Sequence, residues 1–501
     1  MSLRKNAIAN YACQGYTILI SIVMLPLYLK YLGPEAFGLV GFFAMMHAWF
    51  AILDMGLTPT LSRQAAHERG KGEQGLGELG KLLRSVEAIL ALLVPLFILG
   101  IWVASDWIAT QWLMPQVLSA AEVAYCIFLM GVMIGLQWFA SVYRGGIQGM
   151  ERMVWLSGAN IVLATLRFAL SYILLRWVTQ GPRHFFEVQL AVSVVELGIL
   201  AAKFHGLLPT RNIAGEQRMS WSALKSVLPF AGGVAYTAAL WVLLTQTDKL
   251  ILSHVLTLQE YGHFTLVGVV AGGLLSLSGP LSQTILPRMT LMLSQGDEAS
   301  MLSLYRRATQ LTVATIFPIA STVAMFSSEL LYAWTGDQDA ANWAGPVLTW
   351  FALGNGILAV SAFQYYLQYA HGKMRLHVAN STINALLQIP ILAYAAFNYG
   401  ALGEAYAWFG IRLVAFFVWT AVVHSRFAPG LHVSWLVQDI APGLLMTLGC
   451  LMVAGVAHEF FPVDRMSLAI TLVGVGLFAL VANLVGSSAF RSLFRRQWKT
   501  F

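Results

Sequence analysis

Long apolar stretches alternate with short polar connections along the whole chain. Each stretch has close to the ~20 residues that a helix needs to cross a bilayer, and the pattern predicts an all-α integral membrane protein. We expect a polytopic bundle of about 14 transmembrane helices. The predicted spans are residues 7–29, 36–58, 82–104, 117–141, 153–175, 185–202, 226–247, 261–285, 309–334, 345–369, 377–397, 401–423, 440–458 and 466–486.

Composition supports this interpretation, since 58% of the 501 residues are hydrophobic and 11% are charged, whereas roughly a quarter of an average soluble domain is charged. The net charge of +7 does not indicate nucleic acid binding, because the basic residues lie in alternate loops beside apolar spans. With a cytoplasmic N-terminus, 23 of the 30 Lys and Arg residues lie on the cytoplasmic side. The positive-inside rule therefore predicts a multi-pass protein with both termini in the cytoplasm.

A weak internal repeat appears at offsets of 220 to 224 residues. The matched pairs are Phe37-Gly38 with Tyr261-Gly262, Gly149-Met150 with His371-Gly372, and Ala159-Asn160 with Ala379-Asn380.

Because the offset covers six spans, both copies would start on the same side of the membrane, which predicts two pseudo-repeated six-helix lobes around a central cavity. The predicted boundaries are residues 1–205 for the N-terminal lobe, 206–225 for a cytoplasmic linker, 226–425 for the C-terminal lobe, and 426–501 for spans 13 and 14 with a basic cytoplasmic tail.

The sequence contains no motif for catalysis. It has no Gly-rich nucleotide-binding loop, no metal-like spacing of His, Cys or carboxylates, and no loop with room for a folded catalytic domain. We therefore expect neither an enzyme nor a cofactor or metal site.

Polar residues form a stripe along span 1. Asn6, Asn10 and Gln14 recur every four residues, and Thr17 and Ser21 continue near the same side, so a helix would present all five on one face. Such a stripe either forms hydrogen bonds to other helices or lines a cavity. Asn10 and Gln14 are therefore candidates for substrate binding, with both interpretations open.

Arg167 in span 5 and Arg412 in span 12 lie near the middle of their spans. A central arginine is costly in lipid, so each must face protein or water and meet an anion. Glu196, at a similar depth in span 6, is a salt-bridge candidate for Arg167. Arg412 has no acidic residue at its own depth, which favours a place in an aqueous cavity, where a guanidinium suits phosphate or carboxylate.

Asp248 and Lys249 follow span 7. They either form a structural pair at the outer end of the span or, if the helix continues to about Val255, project into the cavity. Lys249 is thus a further candidate for substrate binding, while Asp248 and Glu196 are candidates for coupling transport to a proton or sodium.

Five segments together resemble the Wzx-type flippases, the polysaccharide transporters (PST family) of the MOP (multidrug/oligosaccharidyl-lipid/polysaccharide) superfamily. The resemblance covers at least residues 1–290. The segments are the N-x3-N stretch from Asn6, PLYLKYLGPEAFGL after span 1, ILDMGLTPTLSRQAA closing span 2, YRGGIQGMERM between spans 4 and 5, and QTDKLILSHVLTLQEYGHF after span 7.

This resemblance implies a V-shaped, two-lobed bundle in the bacterial inner membrane. Such a protein moves a polyprenyl-pyrophosphate-linked oligosaccharide from the cytoplasmic to the outer leaflet by alternating access, for surface polysaccharide biosynthesis. A cationic cavity would bind the pyrophosphate, and Arg412 and Arg167 fit that cavity in type. The partners implied are the lipid-linked glycan, membrane lipids, a proton or sodium, and polysaccharide polymerase and chain-length proteins, with no nucleic acid.

Two alternatives come from the same superfamily. A MurJ-type lipid II flippase would carry several arginines in its first spans, and none lies between Lys5 and Lys30 here. A MATE-type multidrug exporter would bind cationic drugs in an acidic cavity, whereas the mid-membrane charges of this chain are largely basic.

Overall fold

The computed structural model describes residues 3–54, 56–179, 181–208, 221–277 and 279–491, and this part of the chain contains helices and no strand. In lipid, backbone polar groups must be satisfied within the spanning segment, which an open sheet cannot do. Within the described residues, ten helices are long and apolar enough to cross a membrane. The predicted all-α polytopic membrane fold is confirmed.

Seven helices form a first series along the chain. They are α1 (Leu3–Leu32), α2 (Pro34–Phe50), α3 (Leu57–Arg69), α4 (Glu73–Trp107), α5 (Ala120–Gly149), α6 (Met153–Trp177) and α7 (Pro182–His205).

A second series follows, with three further helices at its end. These are α8 (Trp221–Val255), α9 (Leu258–Ser276), α10 (Gly279–Ser294), α11 (Glu298–Met325), α12 (Ser327–Thr335), α13 (Gln338–Ala370), α14 (Arg375–Phe427), α15 (Leu431–Trp435), α16 (Ala441–Val456) and α17 (Arg465–Gly486).

The second series repeats the order of the first. α2 begins at Pro34 and α9 at Leu258, which is 224 residues later, and α6 begins at Met153 and α14 at Arg375, which is 222 residues later. The long helices α5 and α13 also occupy matching places in the two series. The repeat that the sequence indicates only weakly is therefore present in the helix order.

Predicted spans 11 and 12 are joined without a loop. Both lie in α14, which is 53 residues long and is interrupted only at Gly400, with φ 64° and ψ −157°. That backbone conformation is open to glycine and rarely adopted by other residues. Gly400 therefore lets the chain change direction within what is otherwise one continuous helix.

The contacts divide the chain into two compact units, Met1–Gly262 and His263–Phe501. α8 falls in the first unit because it packs against α2, α3 and α4. This grouping reports packing alone, and the predicted lobe boundaries at residues 205 and 226 stay predictions.

α5 is the central helix of the first unit. In the most apolar 18 residues of α5, 67% of the residues are buried, against 17% in the corresponding stretch of α6. α5 packs against α3, α4 and α7. Gly145 and Gly149 lie against the carbonyl groups of Thr58 and Ser62 on α3, so closely that a Cβ at either glycine would overlap them. The YRGGIQG segment is thus a helix-packing motif in which small residues permit close backbone approach.

A reciprocal contact joins the first turns of α2 and α9 within the first unit. A Cβ on Gly38 would overlap the carbonyl oxygen of Leu258, and a Cβ on Gly262 would overlap that of Pro34. Leu258 and Gly262 are the 224-residue counterparts of Pro34 and Gly38. The contact is therefore the same on both sides of the repeat.

The carboxylate of Glu35 holds the segment that leads into α5. It accepts hydrogen bonds from the backbone amides of Gln116, Val117 and Leu118, at 2.5, 2.8 and 3.0 Å. The side chain is buried, and three amide donors are the compensation that a buried carboxylate requires. The GPEAFG motif therefore fixes a loop more than 80 residues away in sequence.

In the second unit α13 is the central helix, and 61% of the residues in its most apolar 18-residue stretch are buried. Tyr305, Phe363, Leu367 and Trp435 form part of its core. α11 also contacts α16 and α17, so the helices that follow the repeat pack on the second unit.

Candidate functional site

Three charged side chains meet between α5, α6 and α7. The Arg167 guanidinium donates to Oε2 of Glu196 at 3.0 Å, and the Arg144 guanidinium donates to Oε1 of the same carboxylate. Each carboxylate oxygen is thus occupied by a different arginine. The cluster, which we call the Arg–Glu–Arg site, carries one positive charge in excess.

The Arg–Glu–Arg site is open to a ligand on its basic side. The Glu196 side chain is 11% exposed, whereas those of Arg167 and Arg144 are 22% and 35% exposed. Nε of Arg144 is buried and has no hydrogen-bond acceptor among the residues that the structure describes. A buried donor without an acceptor is unfavourable, so this geometry suits a further anionic or carbonyl oxygen.

His47 brings α2 to the same place. Its imidazole lies within electrostatic range of Arg167, Arg144 and Glu196, and its side chain is exposed. Phe42, Met46 and other apolar residues of α2 are buried, whereas His47 is exposed. The His47 imidazole therefore belongs to the electrostatic surroundings of the site.

The structure thus contains the Arg167–Glu196 salt bridge that the sequence offers as one alternative. Arg144 is not predicted from the sequence as a site residue, because it falls between predicted spans 4 and 5. In the structure α5 continues to Gly149, and Arg144 on this helix donates to Oε1 of Glu196. A signal was present, since the glycines of YRGGIQG favour helix packing over a loop.

The stripe on α1 is only partly engaged. Thr17 and Ser21 donate to the carbonyls of Cys13 and Thr17 within α1 itself. Gln14 is exposed and Asn10 is half-buried. Among the described residues no hydrogen bond joins either side chain to another helix, so their role in substrate binding stays a prediction.

Asp248 and Lys249 form a pair on α8. Lys249 Nζ lies 2.9 Å from Oδ2 of Asp248 and donates to the Thr245 carbonyl at 3.0 Å. The helix continues to Val255. Asp248 is buried and Lys249 half-buried, so the aspartate is neutralised locally, and roles in binding or coupling stay predictions.

Arg412 is buried and contacts an aromatic ring of its own helix. Its guanidinium lies over the Trp408 ring, 4.2 Å from the centroid, and the residue is 8% exposed. Trp408 is itself fixed by a hydrogen bond from Nε1 to Asn355 at 3.2 Å. Glu404 is buried on the same face, two turns before Arg412. Whether Arg412 binds substrate stays a prediction.

The fold is similar to those of solved membrane transporters. An inward-facing multidrug resistance MATE family transporter of the MOP superfamily aligns with a TM-score of 0.67 at 13% identity, over 82% of this chain and 96% of that one. The lipid II flippase MurJ in an inward closed conformation aligns with a TM-score of 0.67 at 12% identity, over 98% and 99%. A MOP superfamily transporter from Pyrococcus furiosus aligns with a TM-score of 0.52 at 14% identity, over 85% and 95%. The chain therefore has the fold of the MOP-superfamily transporters.

Sequence comparison narrows this class to a family. The family described as "Polysaccharide biosynthesis protein" matches residues 3–293, more than half of the chain. The protein belongs to this family, and the resemblance recognised in its motifs is confirmed. No curated protein matches it.

Proposed function

We propose that this protein is a flippase that moves a polyprenyl-pyrophosphate-linked oligosaccharide from the cytoplasmic to the outer leaflet of a bacterial inner membrane, with both termini in the cytoplasm. It acts by alternating access and supplies surface polysaccharide biosynthesis. The observation that carries the proposal is the Arg–Glu–Arg site, a net positive cluster between three helices of a protein that belongs to a polysaccharide biosynthesis family.

Guanidinium groups suit the proposed ligand. A pyrophosphate offers several anionic oxygens, and arginine binds phosphate through parallel N–H donors. Each arginine of the site uses one nitrogen on Glu196 in the structure, so further donors remain on both side chains. The head group would bind these donors and share or replace the Glu196 carboxylate, while the lipid tail stays in the bilayer.

The sign of the site distinguishes the proposal from drug export. A cationic drug would be repelled by a cluster with one excess positive charge, whereas an anionic head group is attracted. A lipid II flippase remains the related alternative, because lipid II also presents a pyrophosphate. The two proposals differ in the glycan and are separated by identifying the transported lipid.

Arg412, Asn10, Gln14 and Lys249 are proposed as additional contacts to the head group or sugars. Asp248 and Glu196 are proposed as residues through which a proton or sodium is coupled to transport. Polysaccharide polymerase and chain-length proteins are the proposed partners that use the product. No step in this cycle breaks a covalent bond, so the protein is proposed to act as a transporter and not as an enzyme.

The proposal is tested first in cells that lack the protein. We expect one oligosaccharide-pyrophosphate lipid to accumulate on the cytoplasmic side, to be identified by mass spectrometry with a leaflet assay, and to return to its normal level when the gene is restored. Normal lipid levels combined with altered sensitivity to toxic cations would contradict the proposal and support a drug exporter.

Binding to purified variants tests the site itself. Arg144→Gln and Arg167→Gln should each weaken binding of the lipid-linked substrate about 10- to 100-fold, the equivalent of one charge-assisted hydrogen bond. Glu196→Gln removes the competing carboxylate and should bind at least as tightly as the wild type. If all three variants lose affinity equally, the site is structural and the anion-binding role is wrong. Arg183→Gln, at an exposed pair with Glu187, is the matched control.

A further inference from the structure

Two adjoining cavities lie at one end of α11, α16 and α17 in the second unit. One has a volume of about 240 Å³ and the other about 560 Å³, and both are lined by Gln310 and Ser488. They lie at the start of α11 and at the end of α17. The charge distribution of the loops predicts that these ends are cytoplasmic. Nothing in the proposed transport cycle uses them.

The negative charge at these cavities is already neutralised. Asp439 accepts from Nε and a terminal nitrogen of Arg306, at 2.7 and 3.2 Å, and from Gln310 at 2.7 Å. Its side chain is fully buried. Arg306 and Gln310 are therefore occupied, and Asp439 presents little charge to a ligand.

Two other arginines remain available. Arg307 lines the larger cavity and Arg491 the smaller one, and both side chains are exposed. Within the described part of the chain neither forms an ion pair, and the Arg491 side chain donates only to the carbonyl of Gly486. The adjoining cavities thus have two positive charges that no carboxylate of the described residues balances.

A buried hydroxyl points to the same kind of ligand. Oγ of Ser487 is buried and has no hydrogen-bond partner among the described residues, and Ser487 lines the smaller cavity together with Arg491. A buried hydroxyl without a partner is unfavourable. An oxygen-rich ligand in this cavity would satisfy it.

Apolar residues complete the lining. Val313, Ala314 and Met446 face the smaller cavity, and Leu302 and Leu431 face the larger one. A free anion would make no favourable contact with these apolar side chains. The acyl chains of a lipid would cover them while its charged head group binds the basic residues. Basic pockets between spanning helices on the cytoplasmic side bind anionic lipid head groups.

We propose that these cavities form a binding site for the phosphate head group of an anionic phospholipid of the cytoplasmic leaflet. Arg307 and Arg491 bind the phosphate, and the hydroxyl of Ser487 donates to a head-group oxygen. The acyl chains lie along α11 and α16. The site is separate from the Arg–Glu–Arg site of the first unit, and the proposal does not depend on the identity of the transported substrate.

The test is native mass spectrometry of the full-length protein, with phosphatidylglycerol as the anionic probe and zwitterionic phosphatidylethanolamine, which has no net charge, as the reference. We expect the wild type to prefer phosphatidylglycerol and the double variant Arg307→Gln/Arg491→Gln to bind it ~30-fold more weakly, about fivefold for each arginine. The control Arg375→Gln/Arg426→Gln removes the same charge from exposed positions outside the cavities and should bind like the wild type.

Two outcomes would overturn the proposal. Equal affinity of the double variant and the wild type would show that these arginines do not hold the lipid. Displacement of phosphatidylglycerol by an equal concentration of inorganic phosphate or glycerol 3-phosphate would assign the site to a free phosphate. Because Arg307 and Arg491 are exposed, the double variant Arg307→Gln/Arg491→Gln should fold. The two single variants should each lose about fivefold in affinity, which tests each arginine separately.

Discussion

Arg167 in α6 and Arg412 in α14 both lie in the middle of apolar stretches, yet the two are accommodated differently. Arg167 shares Glu196 with Arg144, so three helices contribute to one partly exposed cluster. Arg412 lies on the Trp408 ring of its own helix and is 8% exposed. A shared ion cluster leaves donors for a ligand, whereas the Trp408 ring covers one face of a buried guanidinium. The depth of a charge therefore does not determine its role, and its neighbours do.

Removing the shared carboxylate should have the largest effect on stability. Glu196→Gln leaves two guanidinium groups facing each other, and we expect the free energy of unfolding to fall by about 3 kcal/mol, as for a broken buried ion pair. Denaturant titration in detergent micelles measures it.

Glu187→Gln on the same helix is the control, because its pair with Arg183 is exposed and should contribute less than about 1 kcal/mol. Equal loss in both variants would mean that the Arg–Glu–Arg site is no more tightly coupled than a surface pair.

The reciprocal contact of α2 and α9 allows a second comparison between the repeats. Gly38→Ala and Gly262→Ala should each lower the unfolding free energy by about 1–3 kcal/mol, because the added methyl overlaps a backbone carbonyl that cannot move alone. Gly15→Ala meets nothing within 4 Å and should stabilise its helix by about 0.5–1 kcal/mol. Thermal unfolding of the three variants tests this, and a neutral Gly262→Ala would contradict the reciprocity.

Substitution of Arg412 tests whether this arginine is structural, in contrast to Arg167, or also binds the head group. Arg412→Gln removes the cation from the Trp408 face and should cost about 1–2 kcal/mol of stability. If Arg412 also binds the head group, Gln should abolish transport and Lys weaken it.

Trp408→Phe, which keeps a ring under the guanidinium, is the control for the aromatic contact. Normal transport by Arg412→Gln at normal expression would show that the residue is structural, and only the Arg–Glu–Arg site would remain as the anion site.

The smallest effect on stability is expected at the stripe of α1. Gln14→Leu removes an exposed amide and should change the unfolding free energy by less than about 0.5 kcal/mol. Transport should nevertheless fall if Gln14 contacts the sugars. Thr17→Val is the control, since its hydroxyl binds its own helix. Unchanged transport by Gln14→Leu would remove the stripe from the list of substrate contacts.

The class of fold follows from sequence because apolar length reports directly on transfer into lipid. The count of 14 spans stays a prediction, since ten helices of the described residues are long and apolar enough to cross a membrane. Hydropathy does not mark where a helix ends, so the sequence predicts a loop at Arg144, whereas α5 continues past Arg144 and places it against Glu196. The Arg167–Glu196 pair could be foreseen because both residues lie inside spans, where a charge must find a partner. The contact of Arg412 with Trp408 could not be predicted in this way, because an aromatic ring has no formal charge and is missed when charged residues are counted.

The reciprocal contact between Pro34 and Gly262 and between Gly38 and Leu258 is of the kind that two identical chains make across a two-fold axis. In a homodimer every substitution appears on both sides of such an axis. In a single chain that contains both repeats in tandem, a mutation can change one repeat and leave the other unchanged. Glu35 already has Gln259 as its counterpart, and the Arg–Glu–Arg site can exist once per molecule, which no gene encoding half of the protein could arrange.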